Sequence, residues 1–233
     1  MDWNALIELD KQLLLAVNGS HSLFLDGLVK TLTTAATWIP LYVSLFYLVL
    51  RNNDSVQKVL LIVGCALLCV LLAGSLDDLI VKPLVARWRP THDPQIGMLV
   101  DVVNDYRGGK YGFFSAHASN TFSLAVFFSL LVRNRLFTLF IVGWSFVNCW
   151  TRMYLGVHYP GDIAVGLLWG GCVGTAVFRF YLWTATVSRR FSLVSHSLST
   201  TAYQASDVDI VISVLLFTLV YAILRASLYL YVY

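Results

Sequence analysis

Residues 151–162 read TRMYLGVHYPGD, and they sit where one apolar run ends and the next begins at Ile163. Proline is tolerated in the first turn of a helix, because its missing N–H has no helical partner there. An acidic side chain in that turn complements the positive end of the helix dipole. Pro160-Gly161-Asp162 therefore marks a helix start, with Asp162 one turn from His158 and able to accept a hydrogen bond from its ring. Arg152 adds a permanent cation whose planar fork of donors suits phosphate. A histidine oriented by a carboxylate beside an arginine suits phosphoryl or acyl transfer. A capping aspartate with an interfacial histidine and arginine is the plainer reading of the same stretch.

The surrounding chain decides what solvent this corner meets. Of 233 residues, 58% are hydrophobic and 12% charged, against about 25% charged in soluble domains. A soluble chain of this length could not hide that much apolar surface, so the expected solvent is a bilayer. The formal net charge of +3 is too small to suggest nucleic acid and only mildly favours anionic lipid. Cys65, Cys69, Cys149 and Cys172 lie inside apolar runs and read as small buried side chains, not as a disulfide set or zinc site. Asp2, Glu8 and Asp10 near the start leave no basic region, so a cleavable signal peptide is not expected.

Trp3, Leu6, Ile7, Leu13, Leu14 and Val17 recur at helical spacing with Glu8, Lys11 and Gln12 between them. They predict an amphipathic helix, lying in the membrane interface or docked on the protein and ended by Asn18-Gly19. Six apolar runs follow, at 31–50, 59–76, 115–132, 136–150, 163–178 and 210–224, the last continuing towards Tyr233. The first meets the span length of about 20 residues, and the second runs on through Asp77 and Asp78 towards Lys82. Shorter runs gain length from snorkelling flanks such as Arg179 and Arg225. Loops at 51–58 and 133–135 are short and basic, and the glycine-bearing loop at 83–114 is long enough to have a task. Residues 184–207 are polar and Ser-rich and read as a mobile segment.

Threading alternate runs through the membrane gathers the polar residues on one face. KPLVARWRP (Lys82, Arg87, Arg89, Pro90), FSAHASN (Ser115, Ala116, His117) and the 151–162 corner all arrive there. Each has a plain alternative. Lys82 can pair with Asp78 one turn earlier, Arg87 and Arg89 can anchor anionic lipid, Ser115 can cap a helix, and His117 can be interfacial. Their joint arrival on one face weakens those alternatives.

Together, Lys82 with Arg89-Pro90, Ser115-Ala116-His117, and Arg152 with His158 and Asp162 resemble the three signature motifs of the type 2 phosphatidic acid phosphatase family. The soluble relatives of that family are vanadium haloperoxidases and nonspecific acid phosphatases. Phe114 stands where the family usually has proline, and Thr151 where it usually has serine. The resemblance implies that His158 attacks phosphorus, that Asp162 orients its ring, and that His117 protonates the leaving oxygen and then activates water. Lys82, Arg89, Ser115, Ala116 and Arg152 would cradle the phosphoryl oxygens. Three cations offset the phosphate charge, so neither metal nor other cofactor is expected.

The resulting expectation is an all-α, six-transmembrane-helix bundle with an N-terminal interfacial amphipathic helix. Residues 1–233 would form one domain around a motif-bearing core at 82–162. Its partners would be a phosphorylated membrane lipid and the bilayer, with no nucleic acid. The reaction would be hydrolysis of a lipid phosphate or diphosphate, with polyprenyl diphosphate, lipid A phosphate, phosphatidylglycerol phosphate and phosphatidic acid as candidates. A phospholipid-binding transporter or channel is the rival, although it has no need of Asp162 beside His158 or of His117. Basic loops opposite the site favour the cytoplasm, which puts the site on the periplasmic face of a bacterial inner membrane.

Overall fold

Every regular element among the described residues is helical, as long apolar runs separated by short polar turns require. The computed structural model describes residues 3–20, 22–191 and 203–229. Its α-helices are α1 Trp3–Val17, α2 Leu23–Thr33, α3 Ile39–Arg51, α4 Val56–Val70, α5 Lys82–Val85, α6 Ala116–Val132, α7 Arg135–Tyr154, α8 Pro160–Phe191 and α9 Ala205–Tyr229. Two π-helical segments, Leu71–Ser75 and Asp77–Val81, join α4 to α5 in one helix of 30 residues, Val56–Val85.

Among the described residues, three helices are long and apolar enough to cross a membrane: Val56–Val85, Pro160–Val187 and Ala205–Leu228. A fourth crossing is available if the bent pair α2 and α3 counts as one span. These helices make the chain an integral membrane protein. The expected straight run at 31–50 is corrected here, because α2 and the segment Ala35–Arg51 meet at 67°. Thr34 is extended and its N–H turns back to the Thr31 carbonyl at 3.2 Å. Pro40 then sits in the first turn of α3, where proline can start a helix but could not continue the previous one.

The core is shared by Trp38 and by residues of α3, α4, α6, α7, α8 and α9, including Leu45, Ile62, Phe127, Phe137, Val177 and Leu215. Trp38 meets Trp144 edge to face at 5.8 Å. Helices α6 and α8 pack closely, and the cause is a stripe of glycines on α8. A Cβ on Gly166, Gly170 or Gly174 would stand 2.8, 2.5 or 2.5 Å from the carbonyls of Ser115, Ser119 and Ser123. Small residues of this kind let membrane helices approach backbone to backbone. On the outside, Leu60, Leu67, Leu139, Phe217 and Leu224 are exposed, as lipid-facing side chains are.

Two further expectations are corrected. Cys172 is exposed while Cys65, Cys69 and Cys149 are buried, because α8 turns that face outward. Residues 184–191 continue α8 as helix and are not loop; 192–202, the middle of the expected mobile segment, and 230–233 lie outside the described residues. In α1, Leu6, Ile7, Leu9 and Leu13 are exposed, whereas Leu14 and Lys11 are buried. The helix ends before Asn18-Gly19 as its sequence predicts, Gly19 taking a φ of +65°.

Candidate active site

Backbone hydrogen bonds close the corner between α7 and α8 tightly. The N–H groups of Leu155, Gly156 and Val157 donate to the carbonyls of Thr151, Met153 and Arg152 at 3.1, 2.9 and 3.1 Å. The corner buries His158, which is 1% exposed, just before Pro160 opens α8. Asp162 is fully buried in the first turn of α8. Its Oδ2 accepts the Tyr159 N–H at 3.0 Å and lies 3.7 Å from His158 Nδ1. At that distance the two face each other without a hydrogen bond, and Nδ1 is buried with no partner. The expected ring-to-carboxylate bond is therefore a close approach. Asp162 is held instead by Tyr159 and, through Oδ1, by the Arg87 guanidinium at 2.7 Å.

The long loop delivers the first cation. Trp88 and Tyr111 pair in an antiparallel bridge, and the Arg89 N–H donates to the Lys110 carbonyl at 3.1 Å. The Arg89 side chain donates from Nε to the Tyr111 carbonyl at 3.0 Å, and its Nη1 stands 3.3 Å from His158 Nε2. Gly108, with a φ of +67°, makes room for it: a Cβ there would lie 2.9 Å from Arg89 Nη1. Burial, and then Arg152, lower the Arg89 pKa from its ordinary value.

Arg152 is buried at the end of α7. Its Nη1 donates to Thr33 Oγ1 at 2.7 Å and its Nη2 to the Tyr106 hydroxyl at 3.1 Å, while Nε is buried without a partner. Burial would raise the Tyr106 pKa, but Arg152 and Arg89 draw it below the usual phenol value. Lys82 pairs with Asp77 at 2.9 Å and also with Asp78, as its spacing suggests. Ser115 caps α6, accepting the Ala118 N–H at 3.4 Å, and its own N–H donates to the Asp162 carbonyl at 3.2 Å. Ala116 and His117 form the first turn of α6, with His117 exposed where His158 is buried.

The fold thus draws the three distant motifs to one place. Burial first, then Arg89, Arg152 and Lys82, hold the His158 imidazole well below its ordinary pKa. The ring is neutral at physiological pH, with Nε2 towards a guanidinium and Nδ1 towards a carboxylate. Three contributors have no counterpart in the motif reading: Arg87, which grips Asp162; Tyr106, which occupies Arg152; and Asp77, which grips Lys82. Arg87 carried a signal, a second arginine two positions before Arg89, but lipid anchoring explained it equally well. Among the described residues, no group of His, Cys, Asp and Glu has the arrangement of a metal site.

The family profile described as the PAP2 superfamily matches residues 58–186. The chain belongs to the PAP2 superfamily. A lipid A 4'-phosphatase of Bacteroides thetaiotaomicron is 42% identical over 170 residues, covering 72% of this chain and 75% of that protein. A lipid A 4'-phosphatase of Porphyromonas gingivalis is 37% identical over 180 residues, covering 76% and 75%. A decaprenylphosphoryl-5-phosphoribose phosphatase of Mycobacterium tuberculosis is 35% identical over 98 residues, 42% of this chain and 50% of that protein. No solved structure matches the chain. With these relatives, this PAP2 member is a phosphoric ester hydrolase whose reaction class is lipid phosphate hydrolysis.

Two departures from the usual PAP2 pattern have structural counterparts. The Phe114 N–H donates to Asp77 Oδ1 at 3.0 Å, a bond that proline, lacking an N–H, could not make. The Thr151 hydroxyl donates to the Asn148 carbonyl at 2.7 Å, which a serine hydroxyl could equally do.

Proposed function

We propose that this protein removes the phosphate from a sugar-linked phosphomonoester of a membrane lipid, of the lipid A 4'-phosphate kind, through a phosphohistidine on His158. The observation that carries the reading is the setting of His158, with Nε2 3.3 Å from Arg89 and Nδ1 3.7 Å from Asp162. Nε2 attacks phosphorus and the P–O bond to the sugar breaks. His117, exposed in the first turn of α6, gives its proton to the departing oxygen and then takes one from the water that cleaves the P–N bond. Asp162 receives Nδ1–H as the ring gains charge, a contact that needs a closure of under about 1 Å to reach hydrogen-bond length. Arg89 and Arg152 hold the phosphoryl oxygens, with the unpartnered Arg152 Nε as a ready donor. Lys82 contributes charge from its seat between Asp77 and Asp78. The named activity of the two long-matching relatives supports the sugar phosphate as substrate.

The helices α2 with α3, α4 with α5, α6, α7, α8 and α9 make six crossings in this reading. Residues 1–233 act as one unit, and the exposed leucine face of α1 lies in the interface. The basic loops at 51–58 and 133–135 then lie opposite the site, which faces the periplasm of a bacterial inner membrane.

The test of substrate is lipid A bearing both of its phosphates, given to the purified protein in detergent. Mass spectrometry should find the 4'-phosphate lost and the other retained. Loss from the other position, with no loss at 4', would refute the assignment. For sidedness, a cysteine introduced near Gly108 should react with an impermeant maleimide in cells whose inner membrane is intact. Labelling only after that membrane is permeabilised would reverse the orientation.

A further inference from the structure

The N-terminal helix α1 lies far in sequence from the motifs, yet its inward face is bonded to them. Asp10 Oδ2 accepts from Arg87 Nη2 at 2.6 Å, and Asp10 Oδ1 accepts the Gly161 N–H at 2.7 Å. Gly161 is in the first turn of α8, immediately before Asp162. A Cβ there would lie 2.8 Å from Asp10 Oδ2, so only glycine admits the carboxylate so close. The same Arg87 donates through Nη1 to Asp162 Oδ1 at 2.7 Å, and its guanidinium lies over the Tyr159 ring at 4.3 Å. At its other end α1 is fastened to the same corner, as Asn18 Nδ2 donates to the Tyr154 carbonyl at 2.8 Å. Lys11 also reaches the long loop through Gln95.

This arrangement answers a physical need. Asp162 is fully buried, and a buried carboxylate keeps its charge only when paired and hydrogen-bonded. A neutral His158 supplies no counter-charge, and its Nδ1 is too far away for a hydrogen bond. Arg87 supplies both charge and bond. A guanidinium pinned from one side only could swing away. With Nη2 on Asp10 and its face on Tyr159, Arg87 is fixed on the residue that follows His158.

We propose that Arg87 and Asp10 are a positioning pair that holds the Asp162 carboxylate in register with His158, making α1 a working part of the active site. The inference rests on the assignment of His158 and Asp162 above. Neither member of the pair touches the reacting phosphate, so both act on turnover and not on substrate binding. An α1 whose leucines lie in the interface thereby ties the lipid surface to the geometry of the ring that attacks phosphorus.

The test compares Asp10→Asn, Arg87→Lys, their double variant and Glu8→Gln, an exposed α1 control, in the full-length protein in detergent. Hydrolysis is followed with a lipid phosphate and with an aryl phosphate, alongside melting temperature. Each single variant should lose at least about tenfold in kcat with KM nearly unchanged, and the double should be no worse than the worse single, as for residues in one network. Glu8→Gln should be unaffected. Arg87→Ala should recover turnover when guanidinium ion is added, which a purely structural role would not allow. Wild-type kcat in Asp10→Asn and Arg87→Lys, multiplicative losses in the double, or losses that follow melting temperature without guanidinium rescue would each overturn the pair. If the wild type hydrolysed neither substrate, the underlying assignment would fall with it. An active wild type with unaffected variants would sink the pair alone.

Discussion

The guanidinium of Arg89 stands 3.3 Å from Nε2 of His158 across 69 residues of sequence. A permanent cation at that distance disfavours a second positive charge, so the ring stays unprotonated, and the Nε2 lone pair accepts the guanidinium N–H until a phosphoryl oxygen takes that donor over. The same cation then stabilises the anion that the imidazole attacks. One contact thus serves both nucleophile and substrate, and it explains why a histidine buried among three cations is useful and not merely unstable.

A pH prediction follows from that contact. The His158 pKa is lowered by burial and then by Arg89, Arg152 and Lys82, so the ring stays neutral well into mild acid. Removing a neighbouring cation favours imidazolium and raises this pKa. In Arg89→Gln the acid limb of kcat/KM should therefore move to higher pH, in addition to an overall loss of rate. An acid limb that stays put, or moves to lower pH, would show that Arg89 does not set the charge of His158.

Tyr106→Phe should strengthen inhibition by vanadate, which mimics five-coordinate phosphorus. The Tyr106 hydroxyl satisfies Arg152 Nη2 in the resting site and competes with a phosphoryl oxygen for it. Without the hydroxyl, a buried donor is left unsatisfied until an anion arrives. A net hydrogen bond of about 1 kcal/mol corresponds to an inhibition constant lowered by roughly fivefold. A weaker inhibition would mean that Tyr106 binds the anion and does not yield to it.

The site residues and the contacts that hold them differed in how legible they were in the sequence. Lys82, Arg89, Ser115, His117, Arg152, His158 and Asp162 were legible because each sits at a run boundary, where threading the membrane forces boundaries together. The bend at Thr34 was not, because hydropathy counts apolar residues and is blind to backbone direction; Pro40 was its only mark. The grips on these residues were also hidden. Asp10–Arg87 spans 77 positions and Arg152–Tyr106 spans 46, and no local pattern links partners that far apart. Asp77 was only a residue that the second apolar run passes through on its way to Lys82, and the π-helical segment that begins with it has no sequence signature that would forecast its burial.

Gly170→Leu should destabilise the bundle more than it alters the chemistry. A Cβ at Gly170 would meet the Ser119 carbonyl at 2.5 Å, and overpacking of this kind costs about 1–3 kcal/mol. The melting temperature in detergent should fall by several degrees, while KM of the surviving fraction stays close to wild type. An unchanged melting temperature would contradict the close approach of α6 and α8.

Chelator should leave activity intact, because Arg89, Arg152 and Lys82 provide the positive charge that a divalent ion would otherwise bring to the phosphate. Activity abolished by chelator and restored by magnesium would require a different mechanism.

The most direct measurement is the covalent intermediate. Protein mixed with substrate carrying a radiolabelled phosphate is quenched in alkaline denaturant, which preserves a phosphorus–nitrogen bond, and the labelled peptide is mapped. The account predicts label on His158, none in His158→Ala, and label that forms with an activated aryl phosphate but persists in His117→Ala, where water attack is slowed by about 10²–10⁴-fold. Label on His117, or no label at any time in a wild type that turns over, would contradict it.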